Sequence, residues 1–327
     1  MRKVLITTVP FGEKNKLPLE LLDGAQVEYV ISPLGRKLNE NELAEMIEDV
    51  DVLIAGTEPI TDKVLSRAKS LKLISRVGIG LDNLDLNRAK ELGINVSYTP
   101  DAPAPAVAEL TIGLMLALLR HTHTANSQLH QGIWRRHFGR RIPEVTIGII
   151  GVGRIGGRVL RRLAAFGSPR ILVNDILPNP NVTEKLKSEW VDKKTIYRES
   201  DLISLHLPLT ALTKNMIIYD DLMSMKSDAS IINTSRGGVI NEADLERVLN
   251  EGHLSGAAID VFEEEPYTGG LTKIERCLLT SHMGSMSVDC RTKMEIEATE
   301  EAVRFLTNKP LQGTVPQGEY DAQKTGI

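Results

Sequence analysis

Cysteine is scarce in this chain of 327 residues: there are two, Cys277 and Cys290. Two cysteines build no disulfide framework and show no metal-ligand spacing, so no metal site is expected. No excess of basic charge is present either. The formal net charge is −4, and a nucleic-acid surface usually carries a basic stripe, so no nucleic-acid partner is expected. The basic pairs Arg135-Arg136 and Arg140-Arg141 read as a solvated face. Long apolar runs are missing. The N-terminus is too short in its apolar part for a signal peptide. The most apolar run, residues 106–119, is too short to span a bilayer and carries Glu109, so it reads as a buried helix. These absences lead us to expect a soluble, cytoplasmic protein without a membrane partner.

What is there is strand–helix alternation. At 327 residues, two domains are the better expectation. Short β-branched runs at 3–9, 26–31, 51–56, 71–78 and 94–99 alternate with helical patterns, which implies a parallel α/β sheet. The proline-rich segment "PDAPAPAVAE" follows as a stiff connector and a candidate boundary. A second series starts at "VTIGII" (145–150). Further strands are predicted at 171–175, 202–208, 229–235, 256–261 and 277–282, and a long helix at 291–309. The polar tail "GEYDAQKTGI" is expected to be loose.

The second series opens on "IGIIGVGRIGGRVL", which contains Gly151-x-Gly153-x-x-Gly156 between a strand and a helix. Gly151 allows a tight turn, Gly153 lets the backbone approach a pyrophosphate, and Gly156 lets helix and strand pack closely. The helix N-terminus then offers N–H groups and partial positive charge to phosphates. An acid is expected about 20 residues on, for the ribose hydroxyls. Asp175 stands 19 positions after Gly156. A carboxylate there, with no base after it, favours NAD over NADP. Ligands bind at strand ends in such sheets, and three later strand ends carry Arg236, Glu265 and His282.

These motifs resemble those of the D-isomer-specific 2-hydroxyacid dehydrogenases, and within them the phosphoglycerate dehydrogenase branch. The resemblance runs through "RVGIGLDNLDL" (76–86), "VAELTIGLML" (107–116), "GIIGVGRIG" (148–156), "SLHLPLTALTKNMI" (204–217), "INTSRGGVINEADL" (232–245), "GAAIDVFEEEP" (256–266) and "LLTSHMGS" (278–285). It implies a Rossmann-type NAD-binding domain, here 101–289, inserted into a flavodoxin-like substrate-binding domain, 1–100 with 290–327, with the active site in the cleft between them. It implies an NAD-dependent oxidoreductase acting on a small D-2-hydroxy acid or 2-keto acid, and a homodimer. His282 would carry the hydroxyl proton, because imidazole changes charge near working pH. Glu265 would hydrogen-bond the far ring nitrogen, fix its tautomer and favour the imidazolium. Arg236 would bind the substrate carboxylate and polarise the carbonyl. Asp260 would orient the nicotinamide carboxamide. Beside Gly151, Gly153, Arg154, Ile155, Gly156 and Asp175, the cofactor contacts implied are His206, Leu207, Pro208, Thr213, Thr234, Ser235, Arg236, Asp260, His282 and Gly284. Backbone at Val77 and Gly78 would hold the substrate carboxylate, with Arg76 nearby. Arg76 is an extra cation that suits a phosphorylated substrate, so D-3-phosphoglycerate is the first substrate expected, ahead of glyoxylate or hydroxypyruvate. A non-catalytic NAD-sensing corepressor on the same fold is a further alternative. Two positions depart from the family's pattern. Pro103 stands where phosphoglycerate dehydrogenases usually carry asparagine, and Ser281 precedes the histidine where proline is usual.

Overall fold

The computed structural model describes residues 2–178 and 187–326. The chain divides into two compact units, Met1–Pro103 with Met286–Ile327, and Ala104–Ser285.

Unit 1 holds five parallel strands: β1 (Lys3–Ile6), β2 (Glu28–Ile31), β3 (Val52–Ala55), β4 (Leu73–Arg76) and β5 (Asn95–Tyr98). Their order is β2-β1-β3-β4-β5, the flavodoxin-like winding. β3 and β4 are buried along their whole length, as expected of parallel strands covered on both faces. The long helix Val288–Leu306 lies across this sheet, where Ser75 Oγ donates to Ala298 O at 2.7 Å. A buried ion pair anchors it: Arg291 Nε meets Glu295 Oε1 at 2.7 Å, Arg291 also donates to Thr8 Oγ1 and Pro10 O, and Glu295 accepts from Gly12 N–H.

The tail corrects the sequence reading. Instead of a loose end there is a helix, Gln317–Thr325. Tyr320 packs on the unit 1 core. The Gln323 side chain accepts from Leu86 N–H and donates to Leu84 O, both at 2.7 Å. A polar residue that caps another helix's first turn is invisible to a search for apolar periodicity.

Among the described residues, unit 2 holds seven parallel strands: β6 (Thr146–Ile150), β7 (Arg170–Asn174), β8 (Ser188–Trp190), β9 (Leu202–Leu205), β10 (Ser230–Asn233), β11 (Gly256–Ile259) and β12 (Cys277–Leu279). Their order is β12-β11-β10-β9-β6-β7-β8, the doubly wound Rossmann arrangement with one more strand at the far edge. The short β8 has only three residues and was not expected from the sequence. Side chains alternate between the two faces. Ile147, Ile149, Ile171 and Val173 join one core with the helix Ala104–Leu119, while Ile150, Leu172, Ile203 and Leu205 join the other. The apolar run therefore forms the core helix that its composition suggested. Among the described residues, no single helix is long and apolar enough to cross a membrane.

Candidate active site

In unit 2 the sheet's winding reverses between β6 and β9, and the glycine loop leaves β6 at that point. Each glycine has a distinct steric reason. Gly151 has φ +93°, and a Cβ there would lie 2.3 Å from His206 O. A Cβ on Gly156 would lie 1.9 Å from Gly151 O. A Cβ on Gly153 would meet nothing within 4 Å, which leaves the loop open on the side where a phosphate would approach. The N–H groups of Gly153 and Ile155 donate to no acceptor among the described residues, and they stand at the start of the helix Gly156–Leu163. Arg154 is exposed, and its carbonyl accepts from Arg158.

Asp175 directly follows β7. Its carboxylate accepts from Val152 N–H at 2.7 Å and from Leu177 N–H at 2.9 Å, so it fixes the glycine loop as well as marking the strand end. His206 directly follows β9. Its Nε2 meets Ser204 Oγ at 3.0 Å and its Nδ1 has no partner. Burial of this ring pushes its pKa down to about 3, so it stays neutral. Leu207 packs beside Gly151. Thr213 Oγ1 donates to Pro208 O and accepts from Thr210 N–H, closing the loop 208–213. These groups suit a dinucleotide: an open glycine cradle with outward N–H donors, then an acid at the end of the next strand.

Arg236, Glu265 and His282 come from the loops after β10, β11 and β12. His282 Nδ1 meets both Glu265 oxygens, at 3.0 and 2.9 Å. The histidine has φ +50° and its N–H donates to Asp260 O at 2.7 Å. Asp260 is 1% exposed and holds the whole histidine loop. Its Oδ1 accepts from Thr280 Oγ1 at 2.6 Å and Met283 N–H at 2.9 Å, and its Oδ2 accepts from Gly284 N–H at 3.0 Å. Glu265 also accepts from Phe262 N–H at 3.2 Å. Arg236 Nη1 donates to Ser235 O, and its own carbonyl accepts from Asn233 Nδ2, both at 2.7 Å. Gly237 is why the loops after β10 and β11 come together: a Cβ there would lie 2.0 Å from Phe262 C. Thr234 and Ser235 are buried, Thr234 against Thr111 Oγ1 at 2.9 Å and Ser235 on Asn233 Oδ1. Thr111 and Asn233 have supporting roles that their positions in the sequence do not announce.

In unit 1 the strand-end donors differ from those expected. Val77 N–H already donates to Ala55 O at 2.9 Å, and Gly78 N–H to Thr99 Oγ1 at 2.8 Å. The sheet pairing extends one residue past β4 and engages Val77, while the Thr99 side chain engages Gly78. The next N–H groups, of Ile79 and Gly80, donate to no acceptor among the described residues. Arg76 is 5% exposed and its guanidinium donates to Val77 O, lying over Gly78.

Comparison with known proteins agrees with this geometry. Residues 112–284 match the family model of the D-isomer specific 2-hydroxyacid dehydrogenase NAD binding domain. A hydroxypyruvate reductase of Thermotoga maritima is 38% identical over 276 residues, 82% of this chain and 89% of that protein. A D-3-phosphoglycerate dehydrogenase of Methanocaldococcus jannaschii is 37% identical over 295 residues, 88% of this chain but 56% of that protein. The crystal structure of the TT0316 protein from Thermus thermophilus superposes with a TM-score of 0.87 at 31% identity, covering 96% of this chain and 100% of that one. With a glycine cradle, a strand-end acid and a matching family model over its second unit, the chain belongs to the D-isomer-specific 2-hydroxyacid dehydrogenases, a family of NAD-dependent oxidoreductases.

Proposed function

We propose that the chain interconverts a short D-2-hydroxy acid and its 2-keto acid, with His282 as acid–base, Glu265 as the residue that positions it, and Arg236 as the carboxylate clamp. The observation that carries this reading is the two-oxygen contact of Glu265 on His282 Nδ1. That contact assigns the Nδ1 proton to the Glu265 side and leaves Nε2 for the substrate. Bound NAD supplies the hydride acceptor or donor. In reduction, imidazolium Nε2 gives its proton to the carbonyl oxygen as the carbon gains hydride; in oxidation it takes the hydroxyl proton back. Arg236 binds the carboxylate in a fork and polarises the neighbouring carbonyl. Asp260 holds the histidine loop and is the residue we assign to the nicotinamide carboxamide. Asp175 binds the ribose hydroxyls and favours NAD. The remaining cofactor contacts are those named from the sequence, His206 through its backbone and packing.

We assign substrate binding to unit 1, with the Ile79 and Gly80 N–H groups as carboxylate donors in place of Val77 and Gly78. A phosphorylated substrate is a second reading, favoured by the Arg76 cation at the same strand end. We also propose a homodimer: Ile133, Trp134 and Phe138 stand exposed on the segment 131–141, and Phe138 is fully exposed, which suits cover by a second copy. Steady-state NADH oxidation with glyoxylate, pyruvate, hydroxypyruvate and 3-phosphohydroxypyruvate tests the reaction. Turnover excludes a purely NAD-sensing role. His282→Ala is expected to lower kcat about 10²- to 10⁴-fold. A variant that keeps wild-type kcat removes His282 from the mechanism.

A further inference from the structure

Glu58 is a buried carboxylate that the reaction above does not use. It sits in the turn after β3 and is 1% exposed. Oε1 accepts from Thr7 Oγ1 and from Gly56 N–H at 3.0 Å. Oε2 accepts no hydrogen bond among the described residues, and a Cβ on Gly56 would meet it at 2.8 Å. No lysine or arginine forms an ion pair with Glu58 among those residues. Buried carboxylates are normally paired or fully hydrogen-bonded, because leaving such a group unsatisfied costs stability. Oε2 is not among the fully buried side-chain atoms left without a partner, so this oxygen keeps access from outside the core and can accept from a ligand.

The position agrees. In the order β2-β1-β3-β4-β5 the winding reverses between β1 and β3, and ligands of such sheets bind beyond the strand ends at that point. Thr7 and Gly56 are the first residues beyond β1 and β3. Asn83 ties this turn to the segment that carries Ile79 and Gly80: its Nδ2 donates to Glu58 O at 2.6 Å and Gly56 O at 3.4 Å, and its carbonyl accepts from Ile60 N–H at 2.7 Å. The unoccupied backbone donors and the Glu58 carboxylate therefore belong to one fixed set of strand ends.

We propose that Glu58 is a specificity-determining residue, whose Oε2 accepts a hydrogen bond from a neutral donor on the substrate carbon beyond the carbonyl. This rests on the assignment of substrate binding to unit 1 made above. The favoured substrate class is then a 2-keto acid with a hydroxyl on C3. A substrate with only hydrogens there leaves Oε2 unsatisfied, a loss that sites built to bind a hydroxyl convert into strong discrimination. A phosphate at C3 meets a like charge, which opposes the attraction of Arg76.

The test compares kcat/KM for hydroxypyruvate, pyruvate and 3-phosphohydroxypyruvate in wild type, Glu58→Gln and Glu58→Ala, with a thermal melt of each. Wild type is expected to prefer hydroxypyruvate over both others by about 10-fold or more. Glu58→Gln keeps the shape and removes the charge, so the preference over the phosphorylated substrate is expected to fall about 10-fold or more; Glu58→Ala is expected to narrow the preference over pyruvate as well. If wild type prefers 3-phosphohydroxypyruvate, or if the variants lower all three values in equal proportion, Glu58 only ties β1 to β3 and the proposal is overturned. The wild-type ranking decides even if neither variant folds. No turnover of any keto acid by wild type overturns the proposed reaction itself, a result distinct from a changed ranking.

Discussion

Adding one methyl group at each of two glycines separates the folding role of the cofactor loop from its binding role. In Gly156→Ala the new Cβ falls 1.9 Å from Gly151 O, where real contacts essentially never come under 3.0 Å. The loop must open by about 1 Å. Gly151 cannot yield freely, because it packs on His206 O and is held by Asn174 O through its own N–H. Overpacking of this kind costs about 1–3 kcal/mol, or roughly 3–10 °C of Tm in a unit of this size. The displaced N–H groups also lose charged hydrogen bonds to the pyrophosphate, worth about 1.5–3 kcal/mol each, so NADH affinity is expected to fall at least 10-fold. Gly153→Ala is the contrast. Nothing lies within 4 Å of its Cβ and its φ is not left-handed, so Tm is expected to stay within about 2 °C of wild type. The methyl group instead fills the space a pyrophosphate needs, and NADH affinity is expected to fall about 10- to 100-fold. Fluorescence titration with NADH and a thermal melt read both quantities. Wild-type NADH affinity in Gly153→Ala would refute the reasoning, because the open face of the loop would then not be the phosphate cradle.

His206 is held neutral by burial, with its pKa down at about 3 against an ordinary 6.5. The unfolded chain therefore binds a proton first as pH falls, so stability is full above about pH 6.5 and declines toward pH 3. Between pH 7 and 4.5 wild type is expected to lose about 2–3 kcal/mol more than His206→Gln; parallel urea-unfolding curves for the two across that range would contradict the assignment. Arg291→Met leaves Glu295 buried without its cation and is expected to cost about 3–5 kcal/mol, while Arg291→Met with Glu295→Leu recovers part of that loss; a double variant no more stable than the single one argues against a paired charge as the cause.

Elements whose signals are local were legible in the sequence. Short β-branched apolar runs placed eleven of the twelve strands among the described residues, because a parallel strand covered on both faces reads as a compact apolar run whatever its neighbours. Glycine spacing and the acid at the end of β7 placed the cofactor loop, because a turn, a close approach and a helix start are decided within a few residues. Other features depend on partners far away in the chain and are fixed only when the chain has folded. Val77 and Gly78 look like free donors until β4 is paired with β3 and Thr99 turns onto Gly78, which moves the open N–H groups to Ile79 and Gly80. The tail reads as polar until Gln323 meets Leu84 and Leu86. That the Asp260 carboxylate also holds the loop of His282, from about twenty residues away, is not legible in the sequence. Glu58 is an ordinary acid in a turn until β1 brings Thr7 to it across 51 positions of sequence. Hydrogen bonds have direction and finite capacity, and which donors remain open is known only once every strand has found its neighbour.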